Sequence, residues 1–241
     1  MHHDSLAMGL FETGCVQFGR FKLKSGLISP IYLDLRLLVS DPCGLWQTAG
    51  ALAEIIRGLP GSDGQPTRTP LAFDCIAAIP YAALPIGVAL SLTIDHPMIY
   101  PRKEVKSYGT SRPIEGRFQP GDKALVLDDL ITQGDSKLEA IAPLAQAGLV
   151  VEDVLVIIDR EQGGAEVLAE RGYRLHSIMT LREMVDILAR QQAITSEQHA
   201  EVLEYLNGCS RAGPARRHLR GAPAQPHYVG LGYFGLEQRT L

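Results

Sequence analysis

Short apolar runs alternate along this chain with segments whose apolar residues recur at helical spacing. That alternation leaves few folds open, because parallel strands need long crossovers and helices are what cover them. Leu45, Ala49, Leu52, Ala53 and Ile56 share one helical face. Residues 73–79 (FDCIAAI) read as a buried strand and residues 84–92 as the helix after it. The turn Gln119-Pro120-Gly121-Asp122 introduces a strand at residues 124–127 (ALVL). A helix follows over residues 136–146, which Pro143 should kink or shorten, and residues 154–158 (VLVII) form another strand. Thr180 and Glu183 stand at capping-box spacing and open a helix, and a last helix covers residues 196–206. Residues 58–70 (GLPGSDGQPTRTP) are dense in Gly and Pro and read as a surface loop. The expected class is α/β, a mainly parallel central sheet flanked by helices.

A chain of 241 residues, 46% hydrophobic and 21% charged, suits one large domain of this kind. No apolar run approaches the roughly 18 residues that cross a bilayer. The first residues, MHHDSLAMGLFETG, lack the cationic flank and apolar block of a secretory signal. The expected setting is cytoplasmic, with no membrane partner. Four cysteines without a C-x-x-C pair argue against a zinc ribbon, a redox motif or a disulfide framework. Residues 208–241 carry five Arg and one Glu, whereas residues 1–207 carry 18 bases against 26 acids. The folded part therefore offers no basic footprint for nucleic acid. Residues 1–207 form the expected domain, and residues 208–241, rich in Gly, Pro and Arg and without periodicity, a mobile tail.

The segment that carries chemistry is 125–136, LVLDDLITQGDS. Ligands of open α/β sheets bind at the carboxyl ends of strands, which is where Asp128 and Asp129 emerge. Two adjacent carboxylates can accept hydrogen bonds from vicinal sugar hydroxyls. Gly134 lets the backbone approach a phosphate, Thr132 and Ser136 add hydroxyls, and the helix N-terminus supplies amides and a favourable dipole. Gln133 and Asp135 complete this turn. Asp135 beside a phosphate would be repelled unless it points away, so it is expected to turn outward and cap the helix.

The strand, D-D-L-I-T-Q-G-D-S and helix together resemble the phosphoribosyl diphosphate motif of type I phosphoribosyltransferases. Residues 18–36 (FGRFKLKSGLISPIYLDLR), 100–112 (YPRKEVKSYGTSR) and 157–164 (IIDREQGG) resemble orotate phosphoribosyltransferase, in the form that makes up the N-terminal half of UMP synthase. The resemblance covers about residues 11–206 and leaves no length for a second, decarboxylase barrel. It implies the type I fold with a small N-terminal hood. It also implies transfer of phosphoribose from 5-phospho-α-D-ribose 1-diphosphate to orotate, with Mg²⁺ as cofactor, held mainly by substrate and water. It places Lys24 near the reaction centre and Tyr32 against the orotate ring. Arg102, Lys103, Lys106 and Tyr108 fall in a mobile catalytic loop that closes over the neighbouring subunit of a homodimer. Arg160 matches the arginine that binds the orotate carboxylate, for which its planar fork is suited.

Departures from the pattern keep rival readings open. Tyr81-Ala82 stands where bacterial relatives often have Tyr-Lys, Tyr108 where many have His, and Asp135 where a small or hydroxyl residue is common. A transferase for another base would share the 125–136 motif but not the L-K-S-G segment or Arg160. A nucleotide-sensing regulator, or a degenerate relative that binds without turnover, would keep the fold and lose the reaction.

Overall fold

In a computed structural model that describes residues 3–22, 26, 28–58, 73–103 and 113–211, the alternation becomes a six-stranded sheet with helices on both faces. The chain opens with α1 (His3–Glu12), the antiparallel pair β1 (Val16–Lys22) and β2 (Ile28–Leu33), a 3-10 helix at Leu35–Ser40, and α2 (Pro42–Gly58). The sheet and its crossovers follow as β3 (Cys75–Ala78), α3 (Ala83–Ile94), β4 (Met98–Pro101), β5 (Ile114–Glu115), β6 (Lys123–Ile131), α4 (Asp135–Gln146), β7 (Val150–Asp159), α5 (Gly164–Glu170) and β8 (Arg174–Thr180). Helices α6 (Leu181–Arg190) and α7 (Ser196–Arg211) come last. The β1–β2 pair stands apart from the main sheet and packs through β2 on α7.

Both faces of the sheet are buried, as parallel strands require. Leu125 and Leu127 of β6 and Leu155 and Ile157 of β7 point to the core shared with α1, α2, α3, α6 and α7. Ala124, Val126, Val154 and Val156 point to the second core, with Ile141 and Leu144 of α4 and Leu168 of α5.

Strand order β5-β4-β3-β6-β7-β8 fixes where a ligand can bind. From β3 the chain crosses to β4 on one side, whereas β6 lies on the other side of β3 and leads away through β7 and β8. The two crossovers diverge between β3 and β6, which opens a crevice at their carboxyl ends. Strand β6 also outruns β3. Its pairing with β3 ends at Leu127 opposite Ala78, while its pairing with β7 continues to Ile131 opposite Asp159.

Several elements differ from the sequence reading. The strand expected at 124–127 extends to Ile131, so Asp128 and Asp129 lie inside β6 rather than after it. Helix α4 passes through Pro143 to Gln146 instead of ending there. The carbonyl deprived of its donor belongs to exposed Glu139, where water can replace the missing bond. Helix α7 continues to Arg211, across the expected boundary at 207; residues 212–241 lie outside the described residues, as do 59–70 of the expected surface loop. The expected cap on α6 is present, with Glu183 N–H donating to Thr180 Oγ1 at 3.1 Å and Thr180 N–H to Glu183 Oε2 at 2.8 Å.

The turn after β6 rests on the start of α5. A Cβ at Gly164 would lie 2.6 Å from Ile131 Cγ1 and 2.7 Å from the Thr132 carbonyl oxygen. Gly164→Ala is therefore expected to lower stability by about 1–3 kcal/mol. Chemical denaturation checks this: the midpoint falls, whereas a variant as stable as the parent would mean that the two segments separate freely.

Candidate active site

The crevice between β3 and β6 is a cavity of about 550 Å³. Residues 79–82 line it from the end of β3, Arg102 and Lys103 from the end of β4, Asp128 and Asp129 from β6, and Ser136 and Lys137 from the first turn of α4. Arg36 of the 3-10 helix reaches it from the N-terminal part. Of the residues singled out in the sequence, it gathers Tyr81, Arg102, Lys103, Asp128, Asp129 and Ser136. Lys24, Lys106 and Tyr108 lie outside the described residues.

Asp128 is 7% exposed and both its oxygens accept hydrogen bonds, Oδ1 from Asp129 N–H at 2.8 Å and Oδ2 from the Lys137 ammonium. Asp129 accepts from Leu130 N–H at 2.8 Å through Oδ1. Burial and the adjacent Asp128 carboxylate push the Asp129 carboxyl up to about 7, with Lys137 pulling the other way. Near neutrality Asp129 is thus poised to gain its charge, which suits partners that donate hydrogen bonds.

The following turn is shaped for an anion. Gly134 has φ +87° at the N-cap of α4, a conformation that favours glycine, and sits 3.3 Å, measured from its ideal Cβ, from the Gly164 carbonyl oxygen. The first intrahelical bonds run from Lys137 and Leu138 N–H to Gly134 O, so the amides of Asp135 and Ser136 precede the ladder. Thr132 is half-buried and Gln133 exposed in the same turn. Asp135 is exposed, as expected, but it does not cap the helix: Gly134 holds that position, without a side-chain bond, and Asp135 is the first helical residue. There its charge still complements the helix dipole.

Cations surround the other walls. Lys103 Nζ lies 4.6 Å from the centre of the Tyr81 ring, a cation–π contact that brings a lysine beside Ala82 from a different strand. Arg102 is paired with Glu115 of β5 and bound through its N–H to Pro113 O at 2.8 Å. Arg102 and Lys103, which begin the run that the resemblance assigns to a loop shared between subunits, line the cavity of their own chain.

Tyr32 and Arg160 lie outside the cavity wall. Tyr32 stacks on Phe21, with ring centres 5.4 Å apart, and its hydroxyl accepts from Arg36 Nη2 at 3.4 Å. Arg36 is itself clamped by Asp34, with Nε and Nη2 each 2.6 Å from a carboxylate oxygen. Arg160 is buried at the end of β7, its N–H bound to Ile131 O at 3.0 Å, just before the anion turn. Glu161 turns away to Arg182 of α6, whose N–H donates to Oε2 at 3.1 Å.

Phe21, Arg36 and Lys137 were not foreseen. Lys137 left a trace in the sequence, since it shares a helical face with Ile141 and Leu144, where an apolar residue is the rule. Nothing local marked Phe21, which braces Tyr32, or Arg36, which lines the crevice only once the 3-10 helix is folded beside it.

A crevice at a strand-order reversal, an overhanging acid pair and a glycine turn opening a helix accord with the type I phosphoribosyltransferase fold, which the mostly parallel sheet flanked by helices has. No family model matches the chain. It is 36% identical over 197 residues to an orotate phosphoribosyltransferase of Caenorhabditis elegans, covering 82% of each chain. It is 40% identical over 202 residues to the uridine 5'-monophosphate synthase of Bos taurus, which covers 84% of this chain. The structure of Leishmania donovani UMP synthase superposes with a TM-score of 0.76 at 38% identity, over 86% of this chain and 43% of that one. The chain belongs to the orotate phosphoribosyltransferase family. It spans about two fifths of the length of the bifunctional relative from Bos taurus, at 40%.

The raised Asp129 proton affinity has a signed consequence for stability. A carboxyl held above its unfolded value stabilises the fold where it is protonated, and that contribution is lost as pH rises from the unfolded value through about 7. Asp129→Asn is therefore expected to raise the melting temperature relative to the parent, and by more at pH 8 than at pH 5. Equal differences at both pH values would show that Asp129 ionises like an exposed carboxylate.

Proposed function

We propose that this chain transfers phosphoribose from 5-phospho-α-D-ribose 1-diphosphate to N1 of orotate, giving orotidine 5′-monophosphate and diphosphate. The observation that carries this reading is the overhang of Asp128 and Asp129 directly before an anion turn. In it the acid pair accepts hydrogen bonds from the ribose hydroxyls, and the amides of residues 134–136 with the Thr132 and Ser136 hydroxyls hold the 5′-phosphate. Arg102 and Lys103 face the diphosphate. Arg160 binds the orotate carboxylate and Tyr32, braced by Phe21, flanks the base, both meeting a substrate that extends past the described cavity wall. Lys24 approaches the reaction centre.

The chemistry asks for positioning and charge rather than a protein nucleophile. As the anomeric bond breaks, positive charge develops on the ribose beside the ionised acid pair, and negative charge on the leaving diphosphate beside Arg102 and Lys103. Deprotonated N1 of orotate then attacks the anomeric carbon. Mg²⁺ would neutralise the diphosphate. Its fit is to substrate oxygens and water, as is usual for this ion, since Asp128 is already engaged by Lys137. Among those residues no helix is long and apolar enough to cross a membrane. A cytoplasmic homodimer accords with this reading, with Lys106 and Tyr108 reaching the partner's site while Arg102 and Lys103 serve their own.

Ultraviolet loss of orotate with phosphoribosyl diphosphate and Mg²⁺, run beside adenine, hypoxanthine and uracil, tests the assignment. Turnover is expected with orotate alone. Turnover with a purine would reassign the base pocket, and binding of the diphosphate without turnover on any base would favour a regulatory or degenerate role. Asp135→Ser should leave turnover intact or lower KM for phosphoribosyl diphosphate, since the carboxylate points to solvent; collapse of kcat would contradict that placement. Mixing Lys106→Ala chains with Asp128→Asn chains should restore part of the activity through one intact shared site. Demonstrated heterodimers without activity would place Lys106 in its own chain's site.

A further inference from the structure

Helix α4 buries one face through Lys137, Ile141 and Leu144. Two of these are apolar, as the pattern requires, and the third is a lysine only 5% exposed, whose ammonium bonds Asp128 Oδ2. Burying such a pair is a poor way to gain stability, because desolvation offsets the attraction and an apolar replacement is often as stable. A break in the local pattern inside a ligand crevice points to function. We propose that Lys137 is a positioning residue of the transfer site: it fixes the Asp128 carboxylate from one side while Asp129 N–H fixes it from the other, so that the ribose meets a rigid acceptor. This rests on the reading of the crevice as a phosphoribosyl-transfer site.

The geometry divides the labour within the acid pair. Asp128 has its two oxygens held by two donors on different elements, β6 and α4. Its remaining lone pairs are then presented in one orientation, and no reorganisation is needed when hydroxyls arrive. Asp129 lines the same cavity and gains its charge near neutral pH, with the Lys137 charge easing that ionisation. Lys137 thus acts on the ribose through both acids.

Other charged groups around the pair bear on any pH dependence. Arg36 reaches in from the 3-10 helix, Arg102 and Lys103 from the end of β4, and Glu139 from α4. Asp159 and Arg160 close the neighbouring strand β7, opposite and after Ile131. None of them is altered by a change at position 137, so a change in pH profile there reports the Lys137 charge.

The test compares parent, Lys137→Met, Lys137→Arg, Asp128→Asn and the double variant Asp128→Asn with Lys137→Met. Steady-state kinetics in orotate and phosphoribosyl diphosphate, with Mg²⁺, are followed across pH 5 to 9. For Lys137→Met the expected result is a tenfold or larger rise in KM for phosphoribosyl diphosphate, a fall in kcat, and an acid limb of kcat/KM moved to higher pH. Lys137→Arg, which keeps the charge, should restore the limb and part of KM. In the Asp128→Asn background the same Met substitution should cost much less, because the larger part of its effect passes through Asp128. Unchanged kinetics and pH profile in folded Lys137→Met would overturn the proposal. So would a penalty undiminished without Asp128, which would make Lys137 a direct substrate contact. If Lys137→Met fails to fold, the double variant, which carries neither charge, and Lys137→Arg supply the comparison. Failure of the parent itself to use orotate would sink the underlying reading, a result distinct from an active parent indifferent to position 137.

Discussion

The site depends on one mismatch of length, that of β6 against β3 across the point where the strand order reverses. Pairing stops at Ala78 on one side of β6 and continues to Asp159 on the other. The residues of β6 beyond Leu127 are held rigid by β7 yet exposed toward the crevice that β3 vacates. Asp128 and Asp129 occupy that overhang. A loop could bring two carboxylates together, but it could not hold them against their mutual repulsion as firmly as a strand bonded along its far edge.

That placement creates an electrostatic problem which the surrounding residues resolve in layers. Burial in a half-enclosed crevice, and after it the neighbouring Asp128 carboxylate, raise the proton affinity of Asp129. Lys137 answers from beneath, Arg36 from the N-terminal part, and Arg102 with Lys103 from the end of β4. The cations differ in how they are held. Lys137 is locked on Asp128 and Arg36 is clamped by Asp34, whereas Lys103 rests on the face of Tyr81, a contact easily exchanged for a phosphate. The fixed charges organise the acids, and the looser one is available to an anionic ligand.

How much of this was legible in the sequence varies by residue for physical reasons. The strand–acid–turn–helix order of 125–136 is local, so that order was readable, as was the Thr180–Glu183 cap, whose partners lie three residues apart. The extent of β6 was not, because apolar runs locate strands, while strand ends depend on what pairs alongside. The cap expected at Asp135 went to Gly134 because the turn takes a positive φ there, which moves the helix start one residue back. Pro143 did not end α4, since the bond it forfeits falls on an exposed carbonyl. Arg36 reaches the site from the 3-10 helix, which only the folded chain brings to the crevice. Lys137 could have been found by asking why a buried helical stripe contains a cation.

The central claim is that the overhang of β6 holds the ribose and the turn after it holds the phosphate. A crystal structure of the chain with phosphoribosyl diphosphate and Mg²⁺ tests that most directly. The account predicts the ribose hydroxyls within hydrogen-bonding distance of Asp128 and Asp129, and the 5′-phosphate on the amides of residues 134–136. A ribose bound elsewhere, with the acid pair facing only water and Lys137, would contradict it.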